Sequence, residues 1–237
     1  MNNIKSFLAT SFIDWPGRVC SVFFVGGCNF RCPFCHNHSL VLAPERLATI
    51  PFAAVLNQLT RYKKWLGGVC ISGGEPTLNP ALPDAMATLK QAGWLIKLDT
   101  NGSQPKVLEH LLADGLVDMI AMDVKAPLVQ EQYNRCAGVT VDLDRIKQSI
   151  GLIKESGVEH EFRMTILPRF HSAADVTAWA ATLNCGFYGR RSRLKLQNFN
   201  PRSTLDKSLA TEKSFPADIF AGLKERVDWE KNLPLIS

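Results

Sequence analysis

Three cysteines stand within eight residues in the stretch "GGCNFRCPFCHN" (26–37): Cys28, Cys32 and Cys35, followed at once by His36. Their spacings, three residues and then two, set what chemistry they can do. Structural zinc takes four ligands, usually from two separated pairs, and here no second pair exists. Cys20, Cys70, Cys136 and Cys185 are scattered, mostly in apolar runs, and read as small core residues. His36 adjoins Cys35, and adjacent residues seldom reach one tetrahedral ion together. A thioredoxin-like Cys32–Cys35 pair needs a helix beginning at its first cysteine and leaves Cys28 unexplained. A [4Fe–4S] cubane accounts for all three better, one thiolate to a corner. It leaves one iron without a protein ligand, open to another molecule. Gly26 and Gly27 let backbone come close, and Pro33 stiffens the turn.

The elements that must carry this loop follow a rhythm of short apolar runs and helical patterns. Runs at 18–26, 68–72, 94–100, 117–125, 160–167 and 193–199 read as strands. Segments 52–66, 82–93, 105–115, 142–157, 172–184 and 216–227 have helical spacing, several with Pro or Ser at the start and Gly at the end. Alternation of this kind calls for an α/β fold with a parallel sheet and right-handed crossovers. An open, partial barrel and a doubly wound sheet both fit six units. Either places ligands at the C-terminal ends of the strands. The unusual motifs fall there: "GGCNFRCPFC", "GGEP", "DTNG" and "DVKAP" each follow one of the first four strands. They read as one active site.

The chain has 237 residues, which suits one large domain, with 46% hydrophobic and 21% charged residues and a formal net charge of +5. Its only dense basic run, "YGRRSRLK" (188–195), reads as a solvated loop before a strand. No signal-peptide pattern and no apolar run of membrane-spanning length are present, so a cytoplasmic protein without a membrane partner is expected. Seven cysteines in such a chain argue against a disulfide framework. Asp14, Trp15, Pro16 and Gly17 form strong turn chemistry.

Cys28-x3-Cys32-x-Phe34-Cys35 resembles the signature of the radical S-adenosylmethionine (SAM) superfamily. "SGGEP" (72–76), "DTNGS" (99–103) and "MDVKAP" (122–127) support the resemblance, in the expected order and each after a strand. It implies the partial (β/α)6 barrel of that superfamily as a single domain over 1–237, its core at about 12–200 and a C-terminal extension at 201–237. Within the superfamily, "SFIDWPGRVCSVFFVGGCNFRCPFCHN", "KLDTNGS", "MDVKAPL" and "EFRMTILP" resemble the glycyl-radical-enzyme activases, most of all the compact branch that serves anaerobic ribonucleoside-triphosphate reductase. Pyruvate formate-lyase activases use the same parts. Only Cys70 lies between Cys35 and Gly73, so no auxiliary cluster is expected.

The resemblance implies that Cys28, Cys32 and Cys35 hold the cluster, that SAM chelates its open iron, and that reductive cleavage yields a 5′-deoxyadenosyl radical that takes a hydrogen from a partner's glycine. Gly73, Gly74, Glu75 and Pro76 then meet the methionine end of SAM, with Glu75 accepting from its ammonium group. Phe34 lies near the adenine, beside backbone of His36 and Asn37. Asn101 belongs to the same cofactor set, and Lys125 and Arg163 meet the SAM carboxylate or ribose. Asn200 stands where the pyruvate formate-lyase type has a histidine. Asp99 and Asp123, with Thr100 and the Met122 carbonyl, are expected to bind a monovalent cation. Asp14–Gly17 are expected on the surface that admits the glycine loop. A flavodoxin or ferredoxin is the implied electron donor, and no direct contact with nucleic acid is expected.

Overall fold

The computed structural model describes residues 1, 3–184 and 192–227. Cys185, residues 188–191 of the basic run and 228–237 of the C-terminal extension lie outside the described residues. The elements are β1 (Ile4–Ser11), β2 (Cys20–Val25), α1 (His38–Leu42), α2 (Phe52–Tyr62), β3 (Gly68–Gly73), α3 (Leu82–Gln91), β4 (Ile96–Thr100), α4 (Pro105–Ala113), β5 (Met119–Asp123), α5 (Gln130–Ala137), α6 (Leu143–Glu155), β6 (Glu159–Ile166), α7 (Ala173–Asn184), β7 (Arg193–Asn198) and α8 (Ala217–Val227). The six expected strands form as β2 to β7, and the six expected helices form too. β1, α1 and α5 are additions.

The chain divides into two compact units. The first holds Met1–Asn29, Asn37–Met122 and Asp144–His160; the second holds Phe30–His36, Asp123–Leu143 and Glu161–Ser237. In the first unit β2, β3, β4 and β5 pair in parallel, and β1 pairs antiparallel with β2. The β4 side chains are all buried, as both-face-covered parallel strands require. In the second unit β6 and β7 pair in parallel, and the Val124 N–H donates to the Arg163 carbonyl. Among the described residues no helix is long and apolar enough to cross a membrane.

α5, "QEQYNRCA", turns Tyr133, Cys136 and Ala137 inward and ends at Gly138, whose φ is +69°. A Cβ there would lie 2.1 Å from the Arg31 carbonyl oxygen, so both backbone conformation and space demand glycine. The same helix end accepts from the Arg31 N–H through the Ala137 carbonyl at 2.8 Å. A polar helix with few apolar residues thus anchors the backbone one residue before Cys32.

The Asp14–Gly17 turn forms as its composition dictates: the Arg18 N–H closes it onto the Trp15 carbonyl at 3.1 Å. The β1–β2 pairing sets its position. Ser11 pairs with Cys20 and Ile4 with Val25, so the turn lies at the N-terminal end of β2. The cysteine loop leaves the other end, roughly 17 Å away along the strand. Of the four residues Trp15 departs from the surface expectation: its ring is 1% exposed and packs with Cys20, Val22, Cys70 and Met119. The indole is a core residue, because β2 and β3 offer it an apolar floor. Phe12 and Ile13 in the same turn are 77% and 82% exposed. Trp15→Ala is therefore expected to lower stability by about 3–5 kcal/mol in urea unfolding, whereas Phe12→Ser changes it by no more than about 0.5 kcal/mol.

Candidate active site

In the first unit the motifs that follow β2, β3 and β4 are joined by hydrogen bonds. Backbone does the first part: the Gly74 N–H donates to the Val25 carbonyl at 2.9 Å, and the Glu75 N–H to the Gly27 carbonyl at 2.8 Å. The approach is so close that a Cβ on Gly74 would stand 1.9 Å from the Gly27 oxygen. The Glu75 carboxylate, 1% exposed, does the second part. One oxygen accepts from the Thr77 N–H (3.1 Å), the Thr77 hydroxyl and the Thr100 hydroxyl (2.8 Å). The other accepts from the Asn101 N–H at 2.6 Å. Burial pushes the Glu75 pKa up, against the lowering effect of these donors.

Asn101 continues the chain of contacts. Its amide nitrogen donates to Asn29 Oδ1 at 3.0 Å and lies 3.8 Å from the Cys28 sulfur, and its oxygen accepts from the Ser103 N–H at 2.9 Å. An N–H aimed at a thiolate favours the charged, metal-binding form of the sulfur. Asn37 donates from its side chain to the Gly73 carbonyl at 3.0 Å. Glu75, expected to receive the SAM ammonium group, is thus engaged as a brace between the two loops, with four donors on its oxygens.

In the second unit Cys32 is buried and Cys35 half-buried, neither of them in a disulfide. Phe34 packs with its ring 6.1 Å from Phe170 and 6.3 Å from His171. His36 Nε2 lies 2.9 Å from the Asn200 carbonyl oxygen, which brings two expected cofactor-set residues together. Asp123 lies between two cations, accepting from Lys125 Nζ at 2.9 Å and Arg163 Nε at 2.8 Å. Burial raises the Asp123 pKa, but Arg163 and Lys125 outweigh it and hold the carboxyl well below the usual carboxylate range. Burial lowers Lys125, while Asp123 and then Cys32 outweigh it and hold the ammonium well above the usual lysine value.

The sequence reading missed His171, which is 2% exposed. The Leu167 N–H donates to its Nδ1 at 3.3 Å, so Nε2 carries the proton and donates to the Lys125 carbonyl at 3.0 Å. Burial lowers its pKa and keeps the ring neutral. His171 fixes the backbone that presents Lys125. Its only signal in the sequence was a position just past the end of a strand.

Three of the donors expected to hold a monovalent cation, Asp99, Thr100 and Asp123, already have protein partners. Asp99 Oδ1 accepts from Lys97, and Oδ2 accepts from Ser72 Oγ at 2.9 Å. The Thr100 hydroxyl donates to Glu75 and accepts from the Gly102 N–H at 3.1 Å. Asp123 is held by Lys125 and Arg163. In the first unit Asp99 and Thr100 are thus engaged with protein partners and do not fit a free cation. Among the described residues no three His, Cys, Asp or Glu side chains converge on one metal-ion position. A cubane needs no such convergence, since its corners take thiolates separately. Cys28, Cys32 and Cys35 have the sequence spacing that suits it and none is in a disulfide, and the Asn101 amide lies at Cys28.

Comparison with known proteins agrees with this chemistry. The family model for the radical SAM superfamily matches residues 22–173. The chain belongs to the radical SAM superfamily and, within it, to the glycyl-radical-enzyme activase family, a family of enzymes. It is 31% identical over 210 residues to MJ1227 of Methanocaldococcus jannaschii, a protein named provisionally as a glycyl-radical enzyme activating enzyme. That match covers 86% of this chain and 82% of the relative. The pyruvate formate-lyase-activating enzyme of Staphylococcus aureus is 35% identical over 133 residues, 52% of this chain and 53% of that one. SuiB of Streptococcus suis, in a structure bound to S-adenosylmethionine, superposes with a TM-score of 0.68 at 17% identity, over 87% of this chain and 45% of SuiB. This chain therefore spans about half the length of the last two, and the SuiB likeness bears on the fold, an α/β parallel-sheet fold of the radical SAM type.

Two outcomes follow from the geometry. In the cluster-free protein near pH 8, iodoacetamide should label Cys28 and Cys35 first. Burial pushes the Cys20 thiol up to about 11 and Cys136 up to about 12, so these two should react only after unfolding, as read by peptide mass spectrometry. Glu75→Gln turns one acceptor oxygen into an amide NH2 donor facing N–H and O–H donors. It should cost about 2–3 kcal/mol in urea unfolding and weaken SAM retention on the reconstituted protein.

Proposed function

We propose that this chain activates a glycyl radical enzyme, and that its partner is anaerobic (class III) ribonucleoside-triphosphate reductase. Cys28, Cys32 and Cys35 would hold a [4Fe–4S] cluster with one iron open to SAM. When bound, the cluster supplies the electron that cleaves SAM to a 5′-deoxyadenosyl radical, which removes a hydrogen from the partner's glycine. The residues of this chain bind, orient and exclude water. The carboxylate of SAM is assigned to Lys125 and Arg163, whose charges Asp123 holds in place. The Gly73–Gly74 backbone supports the methionine end, and Glu75 keeps that backbone and the Asn101 loop in register. Phe34, braced by Phe170 and His171, is assigned to the adenine side, and the His36–Asn200 contact closes its wall.

The observation that carries this reading is the donor set: three cysteines at this spacing, none in a disulfide, with an amide N–H directed at the first. The choice of partner is supported by the compact motif set "DWPG", "ISGGEPTL", "KLDTNGS" and "EFRMTILP". Identity to pyruvate formate-lyase activating enzymes favours a second reading, in which that lyase is the partner. The electron donor in either case is assigned to a flavodoxin or ferredoxin.

The anaerobically reconstituted protein should carry about four irons per chain. After reduction and addition of SAM it should raise a glycyl-radical doublet, seen by electron paramagnetic resonance, when mixed with class III reductase. A doublet with pyruvate formate-lyase alone would move the assignment to the second reading. No doublet with either, from protein that cleaves SAM, would sink both.

A further inference from the structure

Lys97 is a lysine with no exposed surface at all. It lies in the middle of β4, flanked in register by Cys70 on β3 and Met119 on β5. Two residues along, on the same face of the strand, stands Asp99. The ammonium group contacts Asp99 Oδ1 and lies 3.9 Å from the Cys70 sulfur. The other Asp99 oxygen accepts from Ser72. Asp99 heads the DTNG motif, and its neighbours Thr100 and Asn101 are bonded to Glu75. The carboxylate that the family resemblance gives to a diffusible monovalent cation therefore already faces a positive charge within its own unit.

We propose that Lys97 is a tethered substitute for that cation: its ammonium neutralises Asp99 and fixes the start of the DTNG loop, so the chain neither binds nor requires free Na+ or K+ there. The chemistry supports the exchange. An ammonium is a compact, strongly charged group like a monovalent ion. Its four-carbon stem runs through the apolar layer between β3 and β5, where an isolated charge would be untenable without a partner. A free cation instead needs several oxygens at short range. Around Asp99 those are engaged: its own oxygens face Lys97 and Ser72, and the Thr100 hydroxyl donates to Glu75 and accepts from the Gly102 N–H. The inference rests on the first unit alone and does not depend on which partner the enzyme activates.

The test compares salts on the full chain. Thermal midpoint is measured on the cluster-free protein, and SAM dissociation constant and SAM cleavage on the reconstituted holoprotein, in choline, sodium and potassium chloride at equal ionic strength. The wild-type protein should give the same midpoint in all three, and constants that agree within about twofold. A saturable rise in midpoint, or SAM binding tightened about tenfold or more by K+ or Na+ over choline, would overturn the proposal. Lys97→Met exposes the Asp99 charge. This variant should be less stable and should regain midpoint saturably with K+ or Na+ but not choline. The double variant Lys97→Met/Asp99→Asn, with both charges removed, should lose that response. A folded single variant indifferent to the cation would also overturn the assignment. Should the single variant fail to fold in every salt, the wild-type comparison decides. Partner activation is not part of any readout, so failure here is distinguishable from failure of the activase reading.

Discussion

The first unit depends on one buried carboxylate. Glu75 is almost fully enclosed and surrounded by four donors from two loops. An unpaired charge in that position would be prohibitive; a fully bonded one is a rigid node, because no single donor can leave without exposing the others' shared acceptor. Its effect reaches the cysteine loop by a short route. Glu75 holds the Asn101 N–H, and the Asn101 side chain holds Asn29 and approaches Cys28. The loop that carries Cys28 is thus fixed by a carboxylate that never touches that cysteine.

The second unit solves a similar problem with charges of both signs. Asp123 ties Lys125 to Arg163, and neutral His171 fixes the Lys125 carbonyl. α5 adds the backbone anchor at Arg31. Each cation is held through its side chain by Asp123 and through its backbone by a neighbouring segment. Two preorganised positive groups are what a substrate carboxylate requires, since orientation is then complete before binding.

Much of this was legible in the residues, and the exceptions have specific causes. The parallel strands were readable because strands covered on both faces must be continuous apolar runs, and "CSVFFV" and "GVCIS" are such runs. β1 escaped notice because "IKSFLATS" alternates weakly, as an outer strand with one partner does. α5 escaped because only three of its eight residues turn inward. The motif positions were readable from their places after strands. The roles of Glu75, Asp99 and Trp15 were not, because each depends on what three-dimensional packing brings beside it. Trp15 could be read as surface or core from an Asp-x-Pro-Gly turn alike, and the adjoining Phe12 and Ile13 are exposed where Trp15 is not. Lys97 was hidden by its type: a lysine inside an apolar run suggests a solvated face, and only the Asp two residues on marks it as an internal pair.

A tethered ammonium differs from a diffusible ion in one thermodynamic respect. Occupancy by a free cation follows its concentration, so the site's charge and the stability it confers vary with the salt around the protein. A lysine on the same strand is present at every salt concentration, and the desolvation of its charge is absorbed when the chain folds. The exchange has a structural consequence. A free ion can be coordinated from any direction, whereas Lys97 reaches Asp99 along one path between Cys70 and Met119. The geometry of β4 and its neighbours then has to be kept accurately, which the full burial of all five β4 side chains achieves. Rigidity of the strand and permanence of the charge are the same requirement, and the DTNG loop that starts at Asp99 inherits both.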